Sequence, residues 1–521
     1  MPSGLKAAFA ALGVASIALG ACSNQQLGQG GRFGGFAVAD EPRAVKTGHA
    51  VLASGGNAVD AAVAMSFTLA VTLPSRAGLG GGGVCVLNQR AEKKQTALLF
   101  LPGVGRNGAA VPALARGLAA LHARYGKNRW AGLIRPAERM AAFGHGISRA
   151  FRKDLSRAAP DLSEAARAVF LDDGTLPEVG DKRRQPALGT VLAGLRQRGA
   201  GYMNTGDFAR NLVEAAKAVG HDLTLADLRA EVPRFTDPVA MTYGDHRLFL
   251  PPWPVSGGQR VARAWPAFDA SGLAKPGSAA RWQRLLRAWD EAGGDDRESK
   301  TVPPRDIPAG LAVADGRGNM VACSFTMNGL FGSGDMAQGT GLLMARPEPA
   351  VQAGQTLLPA VAANIYTGRS YLAASFHGDA VPGVMLMQTL ARLSDSGGVA
   401  TPVTDVEAGP VARSKGPQPA PYERAEAAEA ARKAAAADVA PLMRVPRLTP
   451  LPAGRQLRHE SNLPSAIRDG LREAGYDLKM VRSLGRVVLV HCPRGARDGR
   501  AGCAAAADPR GHGMAMRALA E

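Results

Sequence analysis

The most regular hydrophobic pattern in the chain runs from residue 36 to residue 87. Phe36-Ala37-Val38-Ala39 is a short apolar run and predicts a strand. Pro42 to Ser54 predicts a helix that starts on a proline and ends at Gly55-Gly56. Asn57 to Val71 then reads as a second helix that is apolar almost all round, so it must be buried. Asn57 is suited to cap it, and Asp60 places an acid in its first turn. The helix stops before Pro74. The glycine cluster Gly78-Leu79-Gly80-Gly81-Gly82-Gly83 leads into a strand, Val84-Cys85-Val86-Leu87. From Ala110 to Arg229 amphipathic helices alternate with Gly and Pro breaks. A strand over Asp245 to Leu250 runs into Pro251-Pro252-Trp253-Pro254-Val255-Ser256-Gly257-Gly258. Residues 275–307 are polar and charged and predict a loop. Leu311 to Asp315 and Met320 to Phe325 flank Gly316-Arg317-Gly318-Asn319, a hairpin pattern. Residues 404–446 hold a low-complexity run, Arg424 to Ala437, which reads as an exposed helix or a linker. Residues 463–515 predict a further helix and a hairpin.

The N-terminus has a different pattern. Lys6 is followed by an apolar stretch from Ala7 to Gly20 and then by Ala21-Cys22. A cation, a short apolar run and small residues make an export signal, and the run is too short for a stable membrane span. Leu19-Gly20-Ala21-Cys22 resembles a bacterial lipobox, with the thiol of Cys22 carrying the lipid. The alternative is a plain signal peptide with an incidental cysteine. The lipobox implies a signal over residues 1–21, a Gly/Gln-rich tether over 22–35 and a chain held by lipid on the periplasmic side of a bacterial envelope. Ser23, in place of a retention aspartate, favours the outer membrane.

The length, 521 residues, calls for several domains or one large α/β unit, and 46% hydrophobic residues are enough to build its core. Aromatics at 5% argue against stacking platforms for single-stranded nucleic acid. The net charge of +18 leaves two readings. One is an anionic partner; the other is Arg scattered through an Ala/Arg/Gly-rich chain, and no long basic run favours the first. We expect no nucleic-acid partner. Five cysteines exclude a disulfide-dense scaffold, and without a CxxC pair a zinc ribbon is not expected. Cys492 and Cys503 flank the turn of the predicted C-terminal hairpin and are placed to form a disulfide, or else remain two free thiols. Cys85 and Cys323 read as small apolar residues buried in strands. No Walker loop, GxSxG elbow or HExxH is present, and the Gly78 cluster precedes a strand rather than a helix, so it is no dinucleotide fingerprint. Neither a cofactor nor a metal is expected.

Gly55-Gly56-Asn57-Ala58-Val59-Asp60-Ala61-Ala62-Val63-Ala64, then Pro74 and the Gly78 cluster, resembles the N-terminal signature of the γ-glutamyltransferases, or glutathione hydrolases. Gln185-Pro186-Ala187-Leu188, Leu223 to Leu228, Leu250 to Gly258, Asn319, Asn328, Phe331-Gly332-Ser333-Gly334 and Ala507-Asp508-Pro509-Arg510 follow in family order. The resemblance implies an N-terminal-nucleophile hydrolase fold of the α/β class, an αββα sandwich of two stacked sheets between helical layers. It implies a large-subunit-like region over 36–307 and a small-subunit-like region over 308–521, the latter with a low-complexity insert at about 404–460. In that family a precursor cuts itself before a threonine, whose hydroxyl then attacks a γ-glutamyl carbonyl.

The departures fall on this chemistry. Pro308 stands in the nucleophile's place, before Ala309 to Asp315, and has no hydroxyl. The substrate-holding Arg-Glu aligns near Leu101-Pro102, the acidic run with Met344 to Pro349, the paired serines near Pro359-Ala360, and the oxyanion loop with Ala374-Ser375-Phe376-His377-Gly378. Asn328 and Gly378 alone keep the family residue at these positions. His377 two residues from Ser375 suggests a base and a nucleophile, but on a loop that spacing rarely brings them together. The expectation is therefore a lipid-anchored family member that has lost catalysis, with a small γ-glutamyl ligand doubtful. The alternatives are a divergent active γ-glutamyl hydrolase/transferase or amidohydrolase with an unrecognised nucleophile, and a non-catalytic binder of anionic envelope material.

Overall fold

A computed structural model describes residues 32–270, 276–293, 307–350, 354–378, 380–395, 439–451, 455–493, 495 and 502–520. The expected export signal, Cys22 and the Ala-rich run fall outside them. Two antiparallel sheets form the centre. The first holds β1 (Arg32–Ala39), β2 (Gly82–Gln89), β3 (Lys94–Phe100) and β4 (Arg234–Thr236). The second begins with β5 (Val239–Tyr243) and β6 (His246–Leu250). β7 (Ala309–Asp315) and β8 (Met320–Thr326) return to the first sheet. β9 (Leu357–Asn364), β10 (Ser370–His377), β11 (Arg486–His491) and β12 (Ala504–Ala507) complete the second, and β13 (Met514–Ala520) the first. The strand orders are β13-β1-β7-β8-β2-β3-β4 and β12-β11-β10-β9-β6-β5. Each sheet mixes strands from both halves of the sequence, so the two halves fold as one unit.

Alternation along the strands separates three apolar layers. Val38, Val86, Ala312, Ala314 and Ala322 of the first sheet meet Val361, Ala373, Val488 and Val490 of the second. The opposite face of the first sheet, with Ala37, Leu87, Leu311 and Val313, packs on α1 (Pro42–Ala53) and α2 (Ala58–Thr72) and on α3 (Trp130–Phe143) and α4 (Pro186–Arg198) behind them. The outer face of the second sheet, with Leu248, Leu358, Leu372 and Phe376, packs on α5 (Ser256–Ala270), α6 (Ala279–Glu291) and α7 (Pro382–Asp395). This is an αββα sandwich. Every residue of α2 is buried, as its uniform apolarity requires. Asn57 and Asp60 cap it reciprocally, each side chain on the other's amide. Among the described residues no helix is long and apolar enough to cross a membrane.

Four expectations need correcting. The tether is shorter than 22–35, because Arg32 to Gly35 belong to β1. A bulge between Phe33 and Gly35 lets β1 keep its pairing to β13, and the glycines serve that bulge rather than a linker. The loop expected over 275–307 contains α6: Ser278 caps it, and Trp282, Leu285, Leu286 and Trp289 form a buried stripe between its arginines. The insert at about 404–460 ends earlier, since Ala440–Arg444 is helical and Gln456–Glu460 is a strand. That strand pairs antiparallel with Leu448–Pro450 and parallel with Asp477–Val481, so distant partners satisfy a backbone whose local composition is unremarkable. Finally, Cys85 and Cys323 are not separate apolar residues. They face each other across β2 and β8 and are joined as a disulfide.

Candidate functional site

β7 begins one residue after Pro308, between β1 and β8 in the middle of the first sheet. Pro308 is buried and Ile307 half-buried. Gly310 is the first β7 residue to point between the sheets, two positions before Ala312 on the same face. By the same alternation Asp40 follows Val38 of β1, Ser324 follows Ala322 of β8, and Ser375 and His377 follow Ala373 of β10. The apolar layer between the sheets therefore turns polar at one end, where these residues meet.

There they form a chain. Ser324 Oγ lies 2.7 Å from Ser375 Oγ, and Ser375 Oγ lies 3.2 Å from His377 Nδ1. His377 Nε2 lies 2.7 Å from Asp40 Oδ2. This last approach is an ion pair when the imidazole is protonated, with the ring N–H out of line with the oxygen. Asp40 Oδ2 also accepts the Gly310 amide at 2.7 Å. Ser324, Ser375 and His377 are 0% exposed and Asp40 is 3% exposed. Burial alone would raise the pKa of Asp40. The charge and close approach of His377, with Arg486 and Arg76 adding to them, outweigh burial and hold it at about 2, below the ordinary 3.8. The space is tightly filled: a Cβ added to Gly310 would sit 2.5 Å from both Ser375 Oγ and His377 Cε1.

Ser375 and His377 lie on a strand, not on the loop expected from the sequence, and residues two apart on a strand share a face. The order Ser375, His377, Asp40 is that of a nucleophile, a base and an orienting carboxylate. Asp40 was missed because it lies more than 300 residues away in sequence. The remaining signal was a lone acid at the end of an apolar strand.

Asn328, Gly378, Leu101 and Pro359 lie toward this end of the sandwich, whereas the Cys492 amide donates to the Tyr371 carbonyl at the opposite end of β10. Asn328 adopts a left-handed backbone, φ 56°. Its Nδ2 donates to the Arg346 carbonyl at 2.8 Å, and its Oδ1 is buried with no partner among the described residues. Gly378 has φ 114°, a conformation that favours glycine, and packs on Gly485. Leu101 is buried in an apolar cluster with Val84, Leu99, Val255 and Leu357. Pro359 lies inside β9 opposite Ser375. Arg346 borders a pocket of about 240 Å³ beside Ile307, with Arg157, Asp161 and Ser333. Behind that pocket His221 Nε2 lies 2.9 Å from Asp335 and 3.2 Å from Ser333 Oγ. One ring nitrogen serves both, so this group is no relay through the imidazole. Cys492 and Cys503 are joined as a disulfide at the end of the β11–β12 hairpin. Among the described residues no group of three or more His, Cys, Asp or Glu is placed to hold a metal.

Two buried charge clusters brace the surroundings. Arg76 makes two 2.6 Å contacts to Asp154, which also accepts Ser75. Burial works against the Arg76 charge, but Asp154 overcomes it and raises the pKa. Asp508 accepts the Val487 and Arg510 amides and pairs with Arg447, and Arg510 pairs with Glu460. Asp508-Pro509-Arg510 is thus a structural clamp between β11 and the segment before Leu448.

The family model for gamma-glutamyltranspeptidase matches residues 44–101 and 100–299. The chain is 25% identical over 393 residues to the glutathione hydrolase proenzyme of Bacillus subtilis, covering 60% of this chain and 67% of that protein. It is 30% identical over 244 residues to glutathione hydrolase 3 of Arabidopsis thaliana, covering 43% of this chain and 38% of that protein. The chain therefore spans well under half of the plant relative's length. Among solved structures, cephalosporin acylase from Bacillus halodurans superposes with a TM-score of 0.72 over 93% of this chain and 96% of its own, at 19% identity, which is a likeness of fold.

Proposed function

Because the chain is a divergent member of the γ-glutamyltranspeptidase family with the N-terminal-nucleophile hydrolase fold, we propose that it keeps the scaffold and has given up the family's hydrolysis. In this reading it is a non-catalytic protein of the bacterial envelope, held on the periplasmic side by lipid on Cys22. The observation that carries the reading is Pro308 at the head of β7. A buried proline offers no hydroxyl for an acyl shift and no nucleophile for an amide. His377 supports it: its ring packs against Gly310 and leaves no room there for an acyl group. The test is the intact mass of the purified chain under reducing, denaturing conditions, together with hydrolysis of γ-glutamyl-p-nitroanilide. One uncut chain and no release above a protein-free control are expected. Two fragments meeting at a Ser, Thr or Cys, or release that the control lacks, would overturn it.

The Ser375-His377-Asp40 order favours a second reading, an amidohydrolase with a serine nucleophile. Its weakness is that Ser375 is wholly buried. A fluorophosphonate that labels the chain but not Ser375→Ala would establish it, and absence of labelling would remove it.

A further inference from the structure

We propose that the groove between α1 and α3 binds a small anionic amphiphile, a carboxylate carried on an apolar chain. The groove has a volume of about 780 Å³, within the range of ligand sites. It shares no lining residue with the pocket beside Ile307, so the inference stands apart from the question of catalysis. Arg43 and Lys46 of α1 face it from one side, and Lys127 and Arg129, just before α3, from the other. Among the described residues no carboxylate lines it. Lys46, Lys127 and Arg129 have no ion-pair partner among the described residues. Arg43 has one, Glu41 at 3.3 Å. That carboxylate is already committed: it accepts the Arg43 and Ala44 amides that start α1, and Thr72 Oγ1.

Four cations gathered around a groove that no carboxylate lines repel one another, and a bound anion relieves that repulsion. The floor has a different character. Val51, Leu133 and Met140 line it, so a bare inorganic ion would leave the apolar half of the groove uncovered. A ligand with a charged head and an apolar body satisfies both. The signature glycines shape one end: a Cβ at Gly56 would sit 2.6 Å from Val51 Cγ1 and 2.9 Å from Asn128 Nδ2. Only glycine there lets the end of α1 close against the start of α3.

The test is equilibrium dialysis of labelled decanoate against the purified full chain at about 0.15 M salt, where charges farther apart than about 8 Å are screened. Decanol tests the need for charge and acetate the need for the chain. Saturable decanoate binding, with decanol and acetate at least about tenfold weaker, is expected. Lys46→Glu with Lys127→Glu should weaken decanoate by about tenfold, the scale of removing two exposed charge pairings. Gly132→Trp should abolish it, because a Cβ at Gly132 meets nothing within 4 Å and the indole fills the groove without moving the backbone. Lys217→Glu with Arg229→Glu makes the same charge change elsewhere and should leave binding within about twofold. Non-saturable binding, equal binding of decanol or acetate, or equal loss in the remote pair would each overturn the proposal.

Discussion

The contact between His377 and Asp40 makes a prediction whose sign changes with one substitution. Both side chains are buried, 2.7 Å apart, at the junction of the two sheets. In the wild-type chain Asp40 titrates at about 2 rather than 3.8. At 1.36 kcal/mol per unit, that difference is about 2 kcal/mol of stability. Because the folded-state pKa is depressed, the contribution is complete above about pH 4 and is lost as pH falls through about 2. His377→Ala removes the main influence opposing burial. Burial is the largest effect on Asp40, and Arg486 and Arg76 rank below His377 in opposing it. The carboxylate should then titrate above its ordinary value. Its effect on stability reverses: full below the unfolded value near 3.8, and lost as pH rises through the new one. At pH 7 the unpaired buried charge should cost about 3–5 kcal/mol. The assay is urea unfolding of wild type, His377→Ala, Asp40→Asn and the double variant from pH 7 to pH 3. Other carboxylates titrate alike in all four and cancel in the differences. The deficit of His377→Ala should shrink on acidification, and it should shrink less in the Asp40→Asn background. A deficit that stays constant from pH 7 to pH 3 would refute the ion pair and leave His377 a packing residue only.

Three further outcomes follow from the same structure. Cys85→Ser with Cys323→Ser opens a 238-residue separation and should lower stability by about 2–5 kcal/mol, read as a urea midpoint that moves down with reductant further in wild type than in the variant, which keeps the Cys492–Cys503 bridge. Gly310→Ala should cost about 1–3 kcal/mol by overpacking His377 and Ser375, and a thermal midpoint equal to wild type would show that the space is not filled. Asn57→Ala removes the capping box of α2 and should cost about 0.5–2 kcal/mol in urea unfolding, less if Asp60 alone holds the Asn57 amide.

Much of the scaffold can be read from the chain because its causes are local. The uniform apolarity of residues 58–72 demands burial wherever the helix goes, and Asn57 with Asp60 marks its start. The hairpin of β7 and β8 is set by Gly316 to Asn319 between two apolar runs. That residue 308 is a proline, with no hydroxyl to offer, can be read from the chain without geometry. Where local composition misled, a distant partner was responsible. Arg32 to Gly35 look like a linker until β13 pairs with them, and the strand at Gln456–Glu460 exists through its neighbours. The stripe of α6 was legible, at positions 282, 285, 286 and 289, but the arginines between masked it.

The site divides the same way. Ser375 and His377 share a face once β10 is known to be a strand, and that could be inferred from two-residue alternation. What joins them to Asp40 and Ser324, Cys85 to Cys323, or Arg43 to Lys127 across a groove is the stacking of strands and helices whose sequence separations run from tens to hundreds of residues. Period and composition decide which face of an element is apolar. Only the packed sandwich decides which polar residues meet at the end of that apolar layer, because that depends on sheet order and register, which no local pattern encodes.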